Sequence, residues 1–208
     1  MTHAFDKDYW DQHWHQKHGD SPASAAGEPP NPYLPRETGD LMVGSALDAG
    51  CGAGAEAIWL AAHGWRVTAV DIASEALALA TERAANSGMA GRVQWIEADL
   101  TSWEPGMRFD LVTTHYAHPA MPQLAFYDRI AAWVAPGGTL LIVGHLHAST
   151  ATGHGHHPPA EASITLEDIT ARLDRAQWEI STAEEQLRAA AGGTVPLHDV
   201  VVRATRRA

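Results

Sequence analysis

Short apolar runs alternate with amphipathic stretches along most of the chain after residue 44. The apolar runs, each of strand length, are SALDA, RVTAVD, RVQWIEAD, RFDLVTTHY and GGTLLIVGH. The stretches between them, EAIWLAAHG, SEALALATERAANSG and QLAFYDRIAAWVA, place apolar residues at helical spacing. Because strands that alternate with helices pair in parallel through right-handed crossovers, the pattern predicts a doubly wound α/β sheet.

The pattern changes after the fifth predicted strand. A long loop over residues 146–163 leads to a helix over TLEDITARLD, where Thr165 and Asp168 have the spacing of a capping box. QWEISTAEE and VPLHDVVVRATRR then predict two strands with no room for a crossover helix between them. We therefore expect a Rossmann-like sheet of seven strands, mostly parallel, that closes with an antiparallel C-terminal hairpin at one edge.

The residues before the first strand predict a helix, a link and a second short helix. Trp10 and Trp14 lie one turn apart in the first helix. A stretch rich in Gly, Ala and Pro then predicts a mobile link, and an Asn-Pro pair predicts the start of the second helix. We expect one domain over residues 1–208, in which residues 1–30 form a lid helix and its flexible link.

The composition favours a globular protein with a small-molecule substrate. Of the 208 residues, 14 are Lys or Arg and 25 are Asp or Glu, which gives a net charge of -11. This charge repels phosphate backbones and disfavours a nucleic-acid partner. The N-terminal residues lack the apolar core of a signal peptide, and no stretch has the ~18 apolar residues of a membrane span. We expect a cytoplasmic monomer or homodimer without membrane contact.

The densest chemical signal is the glycine-rich run GCGAGA after the first predicted strand. Gly50, Gly52 and Ala55 satisfy the pattern G-x-G-x-x-G/A, and Asp71 ends the next predicted strand. In a dinucleotide-binding sheet, such glycines let a pyrophosphate approach a helix N-terminus, and the carboxylate binds ribose hydroxyls. A nicotinamide cofactor is therefore one interpretation of this run.

Three features favour a cationic ligand instead. Asp48, two residues before the first glycine, would repel a pyrophosphate. Asp99 follows the third strand, so that it, Asp48 and Asp71 fall at the carboxyl ends of three strands that share one crevice. The sheet also closes with a hairpin rather than with another βαβ unit. Together these features favour a sulfonium ligand that carries an ammonium group.

These motifs resemble those of class I S-adenosylmethionine-dependent methyltransferases. The stretch LDAGCGAGAEAIWLAAHGWRVTAVDIASEAL, with ADL and FDLVTTHY after it, carries the resemblance, which extends from about Asn31 to the carboxyl end. Within that superfamily the chain is similar to small bacterial methyltransferases of the tellurite-resistance and thiopurine group, which often begin with a tryptophan-containing helix and an NP segment. The resemblance implies S-adenosylmethionine as cofactor and S-adenosylhomocysteine as product.

The resemblance and the expected lid together imply a set of cofactor contacts. The expected cofactor-binding residues are Trp10, Trp14, Asp48, Gly50, Cys51, Gly52, Asp71, Ile72, Asp99, Leu100 and Thr114. Within this set, Asp48 would support the ammonium group, Asp71 would hold both ribose hydroxyls, and Asp99 would accept from the adenine amino group. We expect Cys51 to be a small packing residue rather than a nucleophile.

Histidines supply the candidate catalytic groups. His115 and His118 follow the fourth strand at the crevice, and either could act as a general base or simply line the pocket. His145, after the fifth strand, is in a similar position. The histidine-rich segment 145–157 has no carboxylate or thiolate at metal-site spacing, so we expect no functional metal.

Methyl transfer from a sulfonium is a direct displacement that needs alignment and exclusion of water rather than a covalent enzyme intermediate. We expect the acceptor to be a small molecule with a sulfur, selenium, tellurium or aromatic oxygen or nitrogen nucleophile. The alternatives are a non-catalytic protein that binds S-adenosylmethionine and a nicotinamide-dependent oxidoreductase. No Tyr-x-x-x-Lys pair supports the oxidoreductase.

Overall fold

The computed structural model of the protein describes residues 5–19, 29–145, 164–188 and 197–208. In these residues six helices and seven strands alternate. They are α1 (Lys7–Gly19), α2 (Tyr33–Thr38), β1 (Ser45–Ala49), α3 (Ala55–Ala62), β2 (Arg66–Asp71), α4 (Ser74–Asn86), β3 (Val93–Glu97), β4 (Phe109–His115), α5 (Gln123–Ala132), β5 (Val134–His145), α6 (Leu166–Arg172), β6 (Trp178–Arg188) and β7 (Leu197–Arg206).

All seven strands form one sheet, in the order β3-β2-β1-β4-β5-β7-β6. The first five strands are parallel to one another, whereas β7 runs antiparallel to both β5 and β6. The chain reverses direction across the sheet between β1 and β4, and such a switch point opens a crevice at the carboxyl ends of the strands. The predicted doubly wound sheet with a C-terminal antiparallel hairpin is confirmed.

Apolar side chains cover both faces of the sheet because successive strand residues point to opposite sides. Leu47 on β1 belongs to the cluster that packs with Phe126 and Ile130 of α5. Its neighbour Ala46 belongs to the opposite cluster, with Leu60 of α3. Helices on both faces make the central strands a rigid base for the crevice.

Local structure fixes where two of the helices begin. Ser74 is the first residue of α4, and Ala73 is its N-cap residue. The predicted capping box of α6 is present, since Thr165 accepts from the Asp168 amide while the Asp168 side chain accepts from the Thr165 amide.

Candidate active site

A cavity of about 570 Å³ lies at the carboxyl ends of β1 to β4, under the N-terminal helix. Its wall combines the glycine-rich loop, the ends of β2 and β3, the segment after β4 and the Pro29–Pro32 segment. The predicted site residues that line it are Trp10, Trp14, Gly50, Cys51, Gly52, Asp71, Ile72, Asp99, Leu100, His115 and His118.

The glycine-rich loop needs residues without side chains at three alternate positions. Gly50, Gly52 and Gly54 all have positive φ, at 80°, 48° and 79°. A Cβ on Gly50 would lie 2.3 Å from the Ala117 Cβ, and one on Gly52 would lie 2.8 Å from the Trp14 ring. The glycines therefore allow both the turn into α3 and the close approach of the elements that enclose the cavity.

Asp71, at the end of β2, fastens this loop to the start of the next helix. Its Oδ2 accepts from the Gly52 amide at 2.7 Å, and its Oδ1 accepts from the Ala73 amide at 2.9 Å. Burial raises the pKa of Asp71, and these amide donors oppose the rise. Each oxygen keeps a further lone pair with which it can accept from a ligand hydroxyl.

Asp99 and Leu100 follow β3 at the same edge of the sheet at which Asp71 ends β2. Oδ1 of Asp99 accepts from the Thr101 amide at 2.8 Å, which holds the side chain in a local turn. Arg129 of α5 donates from Nε to the Leu100 carbonyl at 2.9 Å. The turn therefore presents a carboxylate and an apolar side chain at fixed positions on the cavity wall.

Asp48 lies behind the cavity wall, contrary to the expectation that it contacts a ligand. Asp48 is 1% exposed, and neither of its carboxylate oxygens has a hydrogen-bond partner among the residues that the structure describes. Burial, together with the charges of Glu56 and Asp71, raises the pKa of Asp48 well above its usual range. The position is inside β1 rather than after it, so its side chain is enclosed by the sheet and α3.

Thr114 also fails to reach the cavity, which corrects the expectation that it binds the cofactor. Thr114 is 1% exposed, and its hydroxyl donates to the Ala49 carbonyl at 2.8 Å. That bond ties β4 to the end of β1. Thr114 therefore supports the glycine-rich loop from behind.

Cys51 is buried in the wall of the cavity with the form of a neutral thiol. Burial is the main cause that raises its pKa well above the usual range, and Asp71 adds to the rise. A thiol without thiolate character is a poor nucleophile. This environment agrees with a packing role.

The N-terminal helix α1 lies across the cavity and is held by both an aromatic and an ionic contact. The Trp14 ring packs on the glycine-rich loop at Gly52. Lys7 donates from Nζ to the Ile72 carbonyl at 3.2 Å and pairs with Glu97 at 2.9 Å. The helix is thus attached to the ends of β2 and β3, beside Asp71 and Asp99, two of the carboxylates that line the cavity.

His115 and His118 occupy the opposite side of the cavity, at the end of β4. Burial lowers the pKa of His115, and its buried Nε2 has no hydrogen-bond partner within the described part of the chain. Nδ1 of His118 lies 3.1 Å from Oε1 of Gln123, whose own Nε2 donates to the Ala117 carbonyl. Because that amide oxygen only accepts, Nδ1 of His118 carries a proton and Nε2 is its basic atom.

The sequence pattern missed four polar residues around the cavity. Asn31 donates from Nδ2 to the Tyr116 hydroxyl at 3.0 Å, and its amide donates to Oε1 of Glu56 at 2.9 Å. Gln123 orients His118, and Arg83 reaches the Ala53 carbonyl from α4. Among these four residues, the sequence offered a signal only for Glu56 and Arg83, which are charged residues within two predicted helices.

His145 does not line the cavity but stands behind Tyr116. The two rings stack with centroids 4.0 Å apart. Nδ1 of His145 lies 3.1 Å from Oδ1 of Asp199, a fully buried carboxylate on β7. The rest of the histidine-rich segment, residues 146–157, lies outside the described residues.

Among the residues that the structure describes, no three His, Cys, Asp or Glu side chains are grouped as a metal ion would require. Within the same residues no helix is long and apolar enough to cross a bilayer.

The arrangement fits a compact cationic cofactor. The carboxylates of Asp48, Glu56 and Asp71 surround the glycine-rich loop, and Asp99 lies further along the wall. Two oxygens of Asp48 are buried without a partner, which is an environment that a nearby positive charge would stabilise. Gly50 and Gly52 meanwhile leave room for Ala117 and Trp14, which a Cβ at either position would meet.

Comparison with known proteins agrees with this geometry. Residues 46–138 match the family model of a methyltransferase domain. The matched segment contains the glycine-rich loop, Asp71, Asp99 and both candidate catalytic histidines.

Three curated relatives are methyltransferases with different substrates in their names. The chain is 43% identical over 108 residues to ribosomal RNA small subunit methyltransferase C of Alcanivorax borkumensis. This match covers 49% of this chain and 32% of that protein. It is 32% identical to trans-aconitate 2-methyltransferase of Streptomyces avermitilis, over 63% of this chain and 49% of that protein. It is 28% identical to probable thiol methyltransferase 2 of Arabidopsis thaliana, over 62% of this chain and 57% of that protein. The chain thus spans a third to somewhat over half of the length of these relatives.

Solved structures share the fold. One, from work on the conversion of a disulfide bond into a thioacetal group during echinomycin biosynthesis, has a TM-score of 0.71 at 22% identity and covers 97% of this chain and 91% of that chain. TehB from Haemophilus influenzae has a TM-score of 0.69 at 13% identity and covers 96% of this chain and 67% of that chain. The cavity, the family match and these relatives favour the sulfonium interpretation of the glycines over the dinucleotide one. Residues 46–138 are thus similar to a methyltransferase domain, and the sheet around them has the fold of these solved structures.

Proposed function

We propose that the chain transfers a methyl group from S-adenosylmethionine to a small-molecule nucleophile, by direct displacement. The observation that carries this proposal is the division of the cavity into two ends. Asp71 and Asp99 line the end formed by β2 and β3, whereas His115, Tyr116 and His118 line the end formed by β4, with Glu56 near them through Asn31. The first end suits a cationic nucleoside, and the second suits a neutral or polarisable acceptor.

We assign the cofactor to the first end. Asp71 would accept from the ribose hydroxyls, because its oxygens keep lone pairs beyond the two amide bonds that they accept. Ile72, Asp99 and Leu100 would surround the adenine, and the backbone of Gly50 to Gly52 would lie along the methionine portion. Asp48, whose pKa is raised by burial, would lose its proton when the cationic cofactor binds and would then act through its charge from behind the loop.

When bound, S-adenosylmethionine supplies a methyl group on a positively charged sulfur, which is electrophilic without further activation. The tasks of this chain are to align the acceptor with that methyl group and to exclude water. Trp10 and Trp14 of α1, which line the cavity, would close it over the bound cofactor. The contact of α1 with both the glycine-rich loop and β3 supports a lid function.

The histidines provide a base for acceptors that bind in protonated form. His115 is neutral at pH 7 because burial lowers its pKa, so it can accept a proton on a ring nitrogen. His118 is held by Gln123 with Nε2 as its basic atom. A hydroxyl acceptor would gain ~10²–10⁴-fold in rate from such a base, whereas a thiolate would need none.

A nucleic-acid acceptor is a second candidate because one relative is a ribosomal RNA methyltransferase. The net charge of -11 opposes this candidate, since phosphate contacts require a basic surface. The match also covers only 32% of that protein. Trans-aconitate and thiol methyltransferases among the relatives support the small-molecule class.

The test is a transfer assay with labelled S-adenosylmethionine and a panel of small thiols, phenols, hydroxy-heterocycles and structured RNA. We expect transfer to at least one small molecule and none to RNA. If the acceptor is a hydroxyl compound, His115→Ala or His118→Ala will lower kcat by ~10²-fold or more. Transfer to RNA alone would contradict the proposal, and cofactor binding without transfer to any acceptor would favour a non-catalytic binding protein.

A further inference from the structure

We propose that Tyr116 determines which acceptors the site selects, and that the pair formed by His145 and Asp199 positions it to do so. This inference rests on the proposed function, because it concerns the acceptor end of the same cavity. Tyr116 lines that end, while His145 and Asp199 do not line it at all. Tyr116 is therefore the specificity residue, and the pair acts through it.

Tyr116 is held in a backbone conformation that a tyrosine rarely adopts. Its φ is 56°, and among the described residues it is the only non-glycine with a positive φ. Such a conformation persists only where the surroundings impose it, and it occurs often at ligand sites. The turn directs the chain away from β4 and places the tyrosine at the cavity wall.

Three contacts impose this conformation. The Tyr116 amide donates to the Val143 carbonyl of β5 at 2.9 Å. Its hydroxyl accepts from Nδ2 of Asn31 at 3.0 Å. Its ring stacks on His145 at 4.0 Å between centroids with only 16° between the planes. The backbone and the ring of Tyr116 are thus both fixed by β5, and its hydroxyl is fixed by Asn31.

His145 is itself immobilised by a buried carboxylate. Asp199 is fully buried, and its two oxygens contact Nδ1 of His145 at 3.1 Å and the Tyr33 hydroxyl at 3.2 Å. Because the carboxylate only accepts, Nδ1 of His145 carries a proton and the imidazole plane is fixed. A buried charge with two donors is costly to disturb, so it makes a firm support for the ring that it orients.

A planar wall that is backed by a second ring favours planar acceptors. Aromatic rings that stack at an offset contribute binding beyond the buried area, equivalent to roughly two- to tenfold in affinity. An aliphatic nucleophile of similar reactivity gains much less from the same wall. The site should therefore prefer an aromatic thiol or phenol to an aliphatic thiol.

The test compares kcat/KM for thiophenol and for 2-mercaptoethanol, and uses their ratio so that the intrinsic reactivities cancel between variants. Tyr116→Phe keeps the ring and should keep the ratio. Tyr116→Asn suits the positive φ better but lacks the ring, so it should lower the ratio about threefold to tenfold. If the variants acted only through backbone strain, Tyr116→Phe would lower the ratio more than Tyr116→Asn, because asparagine adopts a positive φ more readily.

The positioning pair is tested in the same assay. His145→Ala should lower the ratio as Tyr116→Asn does, and Asp199→Asn should lower it in part. Asp40→Asn is the matched control because it breaks an exposed ion pair from Asp40 to the same strand, at Arg203. An unchanged ratio in both Tyr116→Asn and His145→Ala would overturn the inference.

A binding measurement separates this inference from the proposed function. Phenol is titrated by calorimetry into the complex with S-adenosylhomocysteine, in which no methyl group can be transferred. Weaker phenol binding in Tyr116→Asn than in Tyr116→Phe supports the inference even if neither thiol is methylated. Equal phenol binding by the two variants, or no phenol binding by the unaltered protein at millimolar concentration, refutes it.

Discussion

At the scale of single residues, Asp71 joins the glycine-rich loop to α4 through two backbone amides and also lines the cavity. We expect Asp71→Ala to weaken S-adenosylhomocysteine binding by at least tenfold, because both a charged acceptor and the loop contact are lost. Calorimetry on the purified variant measures this change. Asp110→Ala is the control, since Asp110 bonds to Ser45 at the other end of the sheet. Equal affinity in Asp71→Ala and the unaltered protein would contradict the assignment.

Two aspartates should give the unfolding free energy opposite dependences on pH. Burial raises the pKa of Asp48, so the folded state holds that proton more tightly than the unfolded chain does. Its contribution to stability is present below the usual carboxyl pKa of ~3.9 and is lost as the pH rises through the folded value. Asp48→Asn should therefore flatten the fall in stability between pH ~4 and neutrality. Urea unfolding at several pH values measures this slope.

Asp110 should make the free energy of unfolding depend on pH in the opposite direction, and the same experiment measures this. The Ser45 amide and hydroxyl lower its pKa, so its contribution is present above the unfolded pKa and is lost on acidification. Asp110→Asn should reduce the free energy of unfolding at neutral pH. As the pH falls, the free energies of unfolding of the variant and of the unaltered protein should become equal. A steeper slope in Asp48→Asn would contradict the account of the buried carboxylate.

Residue identity predicted the acidic positions well but did not reveal which side chains reach the cavity. Asp71 and Asp99 end or follow their strands, where the crevice opens, and both line it. Asp48 and Thr114 lie one or more residues further inside, where alternation directs the side chain into packing. Asn31 and Asp199 were missed because their contacts depend on segments that are distant in sequence.

At the scale of elements, α1 is held over the cavity by side-chain contacts to the glycine-rich loop and to the ends of β2 and β3. We expect Trp14→Ala to weaken S-adenosylhomocysteine binding about tenfold, because the indole packs on Gly52. Lys7→Met should have a smaller effect in the same direction, since its partner Glu97 is half-exposed. Calorimetry gives the affinity, and hydrogen exchange over residues 7–16 reports whether the helix detaches.

The matched control for α1 is Asp8→Asn, which changes a charge in the first turn of the same helix without removing either contact. Faster exchange in α1 with unchanged affinity would show that the helix does not serve as a lid.

Elements in the parallel part of the sheet were predictable because each has a strong period and a clear terminator. Every predicted helix and strand is present among the described residues. Boundaries were less certain where backbone geometry decides them. β5 begins at Val134, three residues before the predicted start, because it pairs with Phe109 through an irregularity in register.

At the scale of the whole molecule, the C-terminal hairpin places β7 inside the sheet and β6 at its edge. Val201 of β7 is opposite Val143 on one side and Glu184 on the other. Val201→Pro should destabilise the fold by ~3 kcal/mol or more, because proline removes a ladder hydrogen bond in an interior strand. Thermal unfolding followed by circular dichroism measures the loss.

Leu187→Pro, on the exposed end of the edge strand β6, is the comparison and should cost much less. If the edge and interior prolines are equally harmful, the strand order is not what determines the stability of the hairpin.

The position of β7 also affects how the protein can be assembled during synthesis. Ribosomes release β6 before β7, yet β6 has no neighbour in the sheet until β7 separates it from β5. A nascent chain that has reached only β6 would therefore display two unpaired strand edges at once, and such edges recruit other chains. Slow docking of β7 would prolong that exposure, so a substitution that weakens the pairing of β7 with β5 should lower the yield of soluble protein.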